Sequence, residues 1–146
     1  MMKVLYTAEA HVTGGRVHGH GRTVGGELDV DIRLPKELGG EGGATNPEQL
    51  FAVGYAACFE AALTLVGQRK NLEEQDTSID AKVMLIPIEN GRFKLGVELD
   101  ITLPSIKDAE QAANLVREAH RICPYSNATR GNIDVALVVN GVPLED

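Results

Sequence analysis

Apolar and polar positions alternate through the first part of the chain. The clearest run is Glu27 to Leu34, where Leu28, Val30, Ile32 and Leu34 alternate with Glu27, Asp29, Asp31 and Arg33, as a strand with one wet face requires. Gly14-Gly15 and Gly25-Gly26 punctuate the segment from Lys3 to Leu34, which therefore predicts three antiparallel strands ended by Pro35. A loop with four glycines follows between Glu37 and Ala44. The period then changes. Asn46 is a helix cap, Pro47 suits the first helical position and Gln49 completes a capping box, predicting a helix to about Gln68 that is apolar nearly all round. Ile79 to Ile88 and Phe93 to Leu103 flank Asn90-Gly91, a favoured hairpin turn. Ser105 with Asp108 makes a second capping box, and Ile106, Ala109, Ala112, Ala113, Val116 and Ala119 give a helical stripe that stops near Cys123, before Pro124. Ile133, Val135, Leu137 and Val139 supply a last strand. The order βββ-α-ββ-α-β predicts an α+β fold, one domain over residues 1–146, with about six strands in a sheet.

A helix apolar on every side cannot be covered by one sheet, and the stripe of the second helix is narrow. The sequence therefore predicts that a second copy of the chain completes the enclosure, a homodimer with paired central helices. The composition of 146 residues, 43% hydrophobic and 24% charged, supports a folded core built from aliphatic side chains, since only three Tyr and three Phe are present. A net charge of −7 and the scarcity of aromatics argue against nucleic-acid binding. No apolar run approaches the length needed to cross a bilayer, and no secretory signal is read, so a soluble cytoplasmic protein without a membrane partner is expected.

Cysteine chemistry is the next question. Cys58 and Cys123 are 65 residues apart, which excludes CxxC redox and zinc-ribbon patterns. Cys58 lies about three turns into the apolar helix, beyond the influence of its N-terminal dipole, so a reactive thiolate there needs a nearby cation or hydrogen-bond donors. Taken alone it reads as a small buried hydrophobe. Cys123 sits at a helix exit, a poor place for a primary nucleophile, and is open to two readings: a resolving thiol or an unrelated helix-end residue. His18 and His20 share a strand face near His11, but further zinc ligands are not evident and solvated histidines are expected. Asp29 and Asp31 read as an ordinary solvated acidic face, and Tyr125, Ser126, Asn127 and Arg130 as a polar loop.

Three segments carry a family resemblance: Thr45-Asn46-Pro47-Glu48-Gln49-Leu50-Phe51, Gly54-Tyr55-Ala56-Ala57-Cys58-Phe59, and Cys123-Pro124-Tyr125-Ser126-Asn127-Ala128-Thr129-Arg130-Gly131-Asn132-Ile133. With Gly14-Gly15-Arg16 after Tyr6-Thr7-Ala8, they closely resemble the organic hydroperoxide resistance (Ohr) branch of the OsmC/Ohr family, nearly end to end. Ala44 and Val53 depart from its commonest form at positions that bear no reacting group. The resemblance implies an OsmC-like intertwined homodimer and a thiol-dependent peroxidase acting in the oxidative stress response. Cys58 then resembles the peroxidatic cysteine, Cys123 the resolving one, Arg16 the guanidinium that activates the thiolate and Glu48 the carboxylate that orients it. It also implies organic hydroperoxides as substrates, no bound cofactor or metal, and an external dithiol reductant, dihydrolipoyl groups on a lipoylated carrier protein.

Helix arithmetic adds a constraint of its own. Ten residues separate Glu48 from Cys58, about 15 Å along a straight helix and roughly 80° around it, too far for one guanidinium to touch both. Either the helix breaks near Gly54, or the two residues come from different chains of a dimer; the shared site is the preferred expectation. Competing functions are a redox-sensing hydroperoxide or lipid binding module without turnover, and a structural dimer with inert cysteines.

Overall fold

The computed structural model describes residues 2–73 and 76–145, and the chain divides into two compact units, Met1–Leu50 and Phe51–Asp146. The first unit holds an antiparallel sheet of β1 (Ala10–Thr13), β2 (His18–Thr23) and β3 (Asp29–Arg33) in sequence order. The β1–β2 turn depends on Gly14: its φ is +75°, and a Cβ there would lie 2.0 Å from the carbonyl oxygen of His18. Three strands form as expected, but the first begins at Ala10 rather than near Lys3. The Glu9 carbonyl accepts from Val24 N–H at 3.0 Å, but residues 2–8 lie outside the strands, and Val4, Leu5 and Tyr6 stand 74%, 88% and 82% exposed. After β3 the chain returns alongside it, with Arg33 N–H donating to the Thr45 carbonyl and Thr45 N–H to that of Asp31.

Helix α1 spans Pro47–Arg69 without interruption at Gly54. Asn46 Oδ1 accepts the Gln49 amide at 2.8 Å, as the capping signal predicts. Gln49 does not complete the expected box; its Oε1 accepts the Thr45 hydroxyl at 2.8 Å instead. Within the second unit α1 buries Tyr55, Phe59, Ala62, Leu63 and Val66, while Val53 and Leu65 remain exposed. The expectation that no segment could span a bilayer is corrected here. Over its most apolar 18 residues α1 has a mean hydropathy of 1.7, enough by length and composition alone. Glu60 and Thr64 interrupt the apolar run, yet the average over the helix tolerates them. Tyr55, Phe59 and Leu63, with no exposed surface, give α1 the packed face of a core helix.

The second unit is built on a four-stranded sheet in the order β4 (Ser78–Pro87), β5 (Phe93–Thr102), β6 (Val135–Val139), β7 (Val142–Pro143). β4 and β5 pair over ten residues, from Ser78 opposite Thr102 to Pro87 opposite Phe93, and Asn90 and Gly91 turn the hairpin with φ of 62° and 68°. Both values are left-handed, the backbone that an Asn-Gly hairpin turn provides. β6 runs parallel to β5, so the chain must cross over, which it does through α2 (Ala109–Ile122) and a six-residue helix, α3 (Pro124–Thr129). The cap of α2 is Asp108, whose carboxylate accepts from Glu110 and Gln111 N–H; Ser105 donates instead to the Glu73 carbonyl, so the predicted Ser105 box is not the one used. Leu99, Ile101, Leu103, Leu115, Val116 and Ala119 have no exposed surface and join the buried face of α1 in one core. The seven described strands thus lie in two sheets, where the sequence pattern suggested one of about six.

Candidate functional site

Two pairs of candidate residues come together, one in each unit. In the first, the Gly14-Gly15 turn carries Arg16 to Glu48 in the opening turn of α1. The contact is bidentate: Nη1 donates to Oε1 at 2.9 Å and Nη2 to Oε2 at 3.1 Å. Such a fork fixes the guanidinium plane as well as its distance. The hydrogen bonds that Arg16 donates to Glu48, reinforced by the carboxylate charge, raise the pKa of Arg16 against a smaller opposing effect of burial, so the cation is permanent. Glu48 itself suits the positive end of the helix dipole. A guanidinium has five N–H donors and this carboxylate takes two of them, so the same group can still meet a second anion or a peroxide oxygen.

In the second unit, Cys58 and Cys123 meet with their sulfurs 3.7 Å apart, both as free thiols. A disulfide needs about 2.05 Å. Cys58 is half-buried on α1; Cys123, fully buried, is the single residue between α2 and α3, extended as a residue before proline must be. Burial pushes the Cys58 thiol pKa up, the neighbouring Cys123 adds to that, and the backbone N–H of Tyr125 pulls it down. Desolvation wins within this unit, so the sulfur is a thiol unless a cation approaches. Tyr125 is held close by Gly54, where a Cβ would lie 2.5 Å from the Tyr125 hydroxyl. Its ring packs on Phe51 and Tyr55, with centroids 5.7 and 5.5 Å away.

The expected polar loop after Cys123 is corrected to a helix, α3, whose Ser126 is fully buried. Tyr55 Oη lies 2.8 Å from Ser126 Oγ and 3.1 Å from Thr129 Oγ1, and His120 Nδ1 lies 2.8 Å from Ser126 Oγ. Burial raises the Tyr55 pKa despite these hydroxyl partners, which keeps the phenol protonated. Pro124 at a helix start and Ser126 with Thr129 three apart were the available signals for this helix. The histidine and aspartate readings also change. His20 lies between Asp29, 2.7 Å from Nε2, and Asp31, 2.9 Å from Nδ1, so this face is exposed as expected but its acids are also tied to the imidazole; His18 meets Glu41 at 3.2 Å. The hydrogen bond to Asp31 is the main reason that the His20 pKa is raised. Among the described residues no group of three or more His, Cys, Asp or Glu is placed to hold a metal ion.

The model of the OsmC-like protein family matches residues 40–138. An organic hydroperoxide resistance protein of Xanthomonas axonopodis pv. citri is 51% identical over 141 residues, covering 94% of this chain and 96% of that protein. The organic hydroperoxide resistance protein OhrB of Bacillus subtilis is 48% identical over 136 residues, covering 91% and 96%. The crystal structure of an organic hydroperoxide resistance protein from Elizabethkingia anophelis superimposes with a TM-score of 0.89 at 49% identity, over 94% of this chain and 98% of that one. The matched span includes Glu48, both cysteines and the whole of α1 to α3. A fold shared this closely, with half the residues identical across nearly the full length, leaves one assignment: the chain belongs to the OsmC/Ohr family, in its organic hydroperoxide resistance branch.

Proposed function

We propose that this protein detoxifies peroxides by reducing organic hydroperoxides to alcohols with its own thiols. The Cys58 thiolate attacks the distal oxygen of the hydroperoxide; the O–O bond breaks, the alkoxide takes a proton and leaves as the alcohol, and Cys58 becomes a sulfenic acid. The Cys123 thiol then attacks the Cys58 sulfur, the S–O bond breaks and water departs with the Cys123 proton, leaving a disulfide. An external dithiol, of which dihydrolipoyl groups on a carrier protein are the expected form, restores both thiols and is itself oxidised to a disulfide. No bound cofactor or metal is needed for these steps, and the cytoplasm is their expected place.

The observation that carries this reading is the 3.7 Å approach of two sulfurs 65 residues apart in sequence, one of them on a helix among apolar neighbours that suit an alkyl tail. Arg16, oriented by Glu48, is the cation that the desolvated Cys58 requires. Since α1 is unbroken, the ten-residue spacing favours a site assembled from two chains, Glu48 of one copy serving Cys58 of its partner. A homodimer would also cover the exposed Val4, Leu5, Tyr6, Val53 and Leu65. The test is mass spectrometry of the protein after one equivalent of tert-butyl hydroperoxide. A Cys58–Cys123 crosslink is the expected product, with repeated turnover once dihydrolipoamide is added. Oxidation confined to Cys123 would reverse the two roles, and a single oxidation without turnover would make the protein a sensor.

A further inference from the structure

The buried hydroxyls beside Cys123 can satisfy their contacts in only one direction. Thr129 Oγ1 donates its proton to the Ser126 carbonyl at 3.3 Å. At its 3.1 Å contact with Tyr55 it must therefore accept, so the phenol donates there. With the phenol proton committed, the 2.8 Å contact between Tyr55 and Ser126 requires Ser126 Oγ to donate. Ser126 has no second proton, so at 2.8 Å from His120 Nδ1 it accepts, and His120 carries its hydrogen on Nδ1. The chain of donors runs His120, Ser126, Tyr55, Thr129, and ends on the carbonyl of Ser126. It crosses three helices: His120 is on α2, Ser126 and Thr129 on α3, and Tyr55 on α1, three residues before Cys58. Arg130 closes the same corner by donating to the His120 carbonyl at 2.7 Å.

Cys123 is the one residue between the two helices this chain holds together. To form the disulfide, the sulfurs must close from 3.7 Å to about 2.05 Å, and Cys123, joined directly to α2 and α3, moves with whatever holds those two helices. We infer that His120, Ser126 and Tyr55 are positioning residues for the resolving step, a directional hydrogen-bond chain that holds Cys123 in reach of Cys58. The inference rests on the peroxidase reading for its biological use, but the positioning can be measured without peroxide.

The experiment equilibrates wild type, Ser126→Ala, Tyr55→Phe, His120→Leu and His120→Asn with a dithiothreitol redox buffer and follows the Cys58–Cys123 disulfide by mass. Oxidised dithiothreitol takes the two hydrogens of the protein thiols and is reduced as their disulfide forms. Each lost hydrogen bond should lower the equilibrium constant for disulfide formation about tenfold. Asn, whose amide N–H can replace Nδ1–H, should restore it to within about twofold of wild type. A parallel arm with tert-butyl hydroperoxide and a sulfenic-acid trap should show Cys58 oxidised at the wild-type rate and the sulfenic acid persisting about tenfold longer in the first three variants. Tyr55→Phe retains the ring contacts with Phe51, Phe59 and Tyr125 and keeps the test decisive if another variant fails to fold. Disulfide constants equal to wild type in folded Tyr55→Phe and Ser126→Ala would overturn the inference. If wild type forms the disulfide in the redox buffer but peroxide leaves Cys58 untouched, the peroxidase reading falls and the variants still decide the positioning.

Discussion

Replacing Gly54 by alanine sets two effects of similar size against each other. In the interior of a helix, alanine is favoured over glycine by about 1 kcal/mol, so on propensity alone Gly54→Ala should stabilise α1. Against this stands the new methyl, 2.5 Å from the Tyr125 hydroxyl and 3.2 Å from the adjoining ring carbon. The hydroxyl is the far end of a side chain, but the ring is packed on Phe51 and Tyr55 and cannot swing freely. Overpacking of this kind costs about 1–3 kcal/mol, so the expected net result is a loss of about 1 kcal/mol. Removing the hydroxyl should reverse the sign: in a Tyr125→Phe background the same alanine should be neutral or stabilising by about 0.5 kcal/mol, a coupling of at least about 1 kcal/mol. Urea unfolding of the four reduced proteins at one fixed concentration measures this cycle. Because Tyr125 N–H also faces the Cys58 sulfur, displacing it should raise the thiol pKa further and slow alkylation of Cys58 near neutral pH. A full gain of about 1 kcal/mol from Gly54→Ala alone, independent of residue 125, would refute the claim that this glycine exists to admit Tyr125.

The other consequences concern charge, redox state and assembly. Glu48→Gln breaks a fork whose arginine is 39% exposed, so stability should change by no more than about 1 kcal/mol while peroxidase kcat/KM falls about tenfold or more; an equal loss in both would mark the pair as structural. Oxidation to the Cys58–Cys123 disulfide closes a long loop and should raise stability by up to about 4 kcal/mol, read as a higher Tm than that of the reduced protein. In Arg16→Ala the Cys58 alkylation profile should move to a midpoint above the ordinary thiol range, with wild type below it; coincident profiles would remove Arg16 from activation. The sign for stability in that variant follows from the raised folded pKa: the stabilisation is complete below the unfolded thiol pKa and is lost as pH rises through the folded one. Mixing inactive Glu48→Ala and Cys58→Ser chains should regenerate activity in heterodimers, and continued inactivity after verified exchange would exclude a site shared between copies.

Much of the architecture could be read directly because local chemistry determined it. Asn46-Pro47 starts α1, Asn90-Gly91 turns the β4–β5 hairpin, and Glu27 to Leu34 alternates as a half-wet strand must. The misread features depend on distant partners. Residues 2–8 carry strand-like side chains but have no strand partner among the described residues, and periodicity says nothing about pairing. Ser105 and Asp108 both qualify as caps by type, and only the path of the chain chooses Asp108. Cys58 and Cys123 stand out as candidates through their surrounding motifs, whereas their 3.7 Å approach follows from a crossover that brings α2 and α3 back to α1. Ser126 looked like loop polarity because its partners, Tyr55 and His120, lie 71 residues before it and one helix away.

The late position of β6 and of the helices leading to it has a bearing on how the protein is made. Cys58 leaves the ribosome 65 residues ahead of Cys123, an interval of about 3–13 s at ordinary elongation rates of about 5–20 residues per second. Throughout that interval Cys58 has no Cys123 to pair with, so under the proposed cycle a Cys58 oxidised then would depend on a thiol from the surroundings. On the proposed cycle, disulfide protection of Cys58 therefore begins only once α2 and α3 have been made and packed against α1.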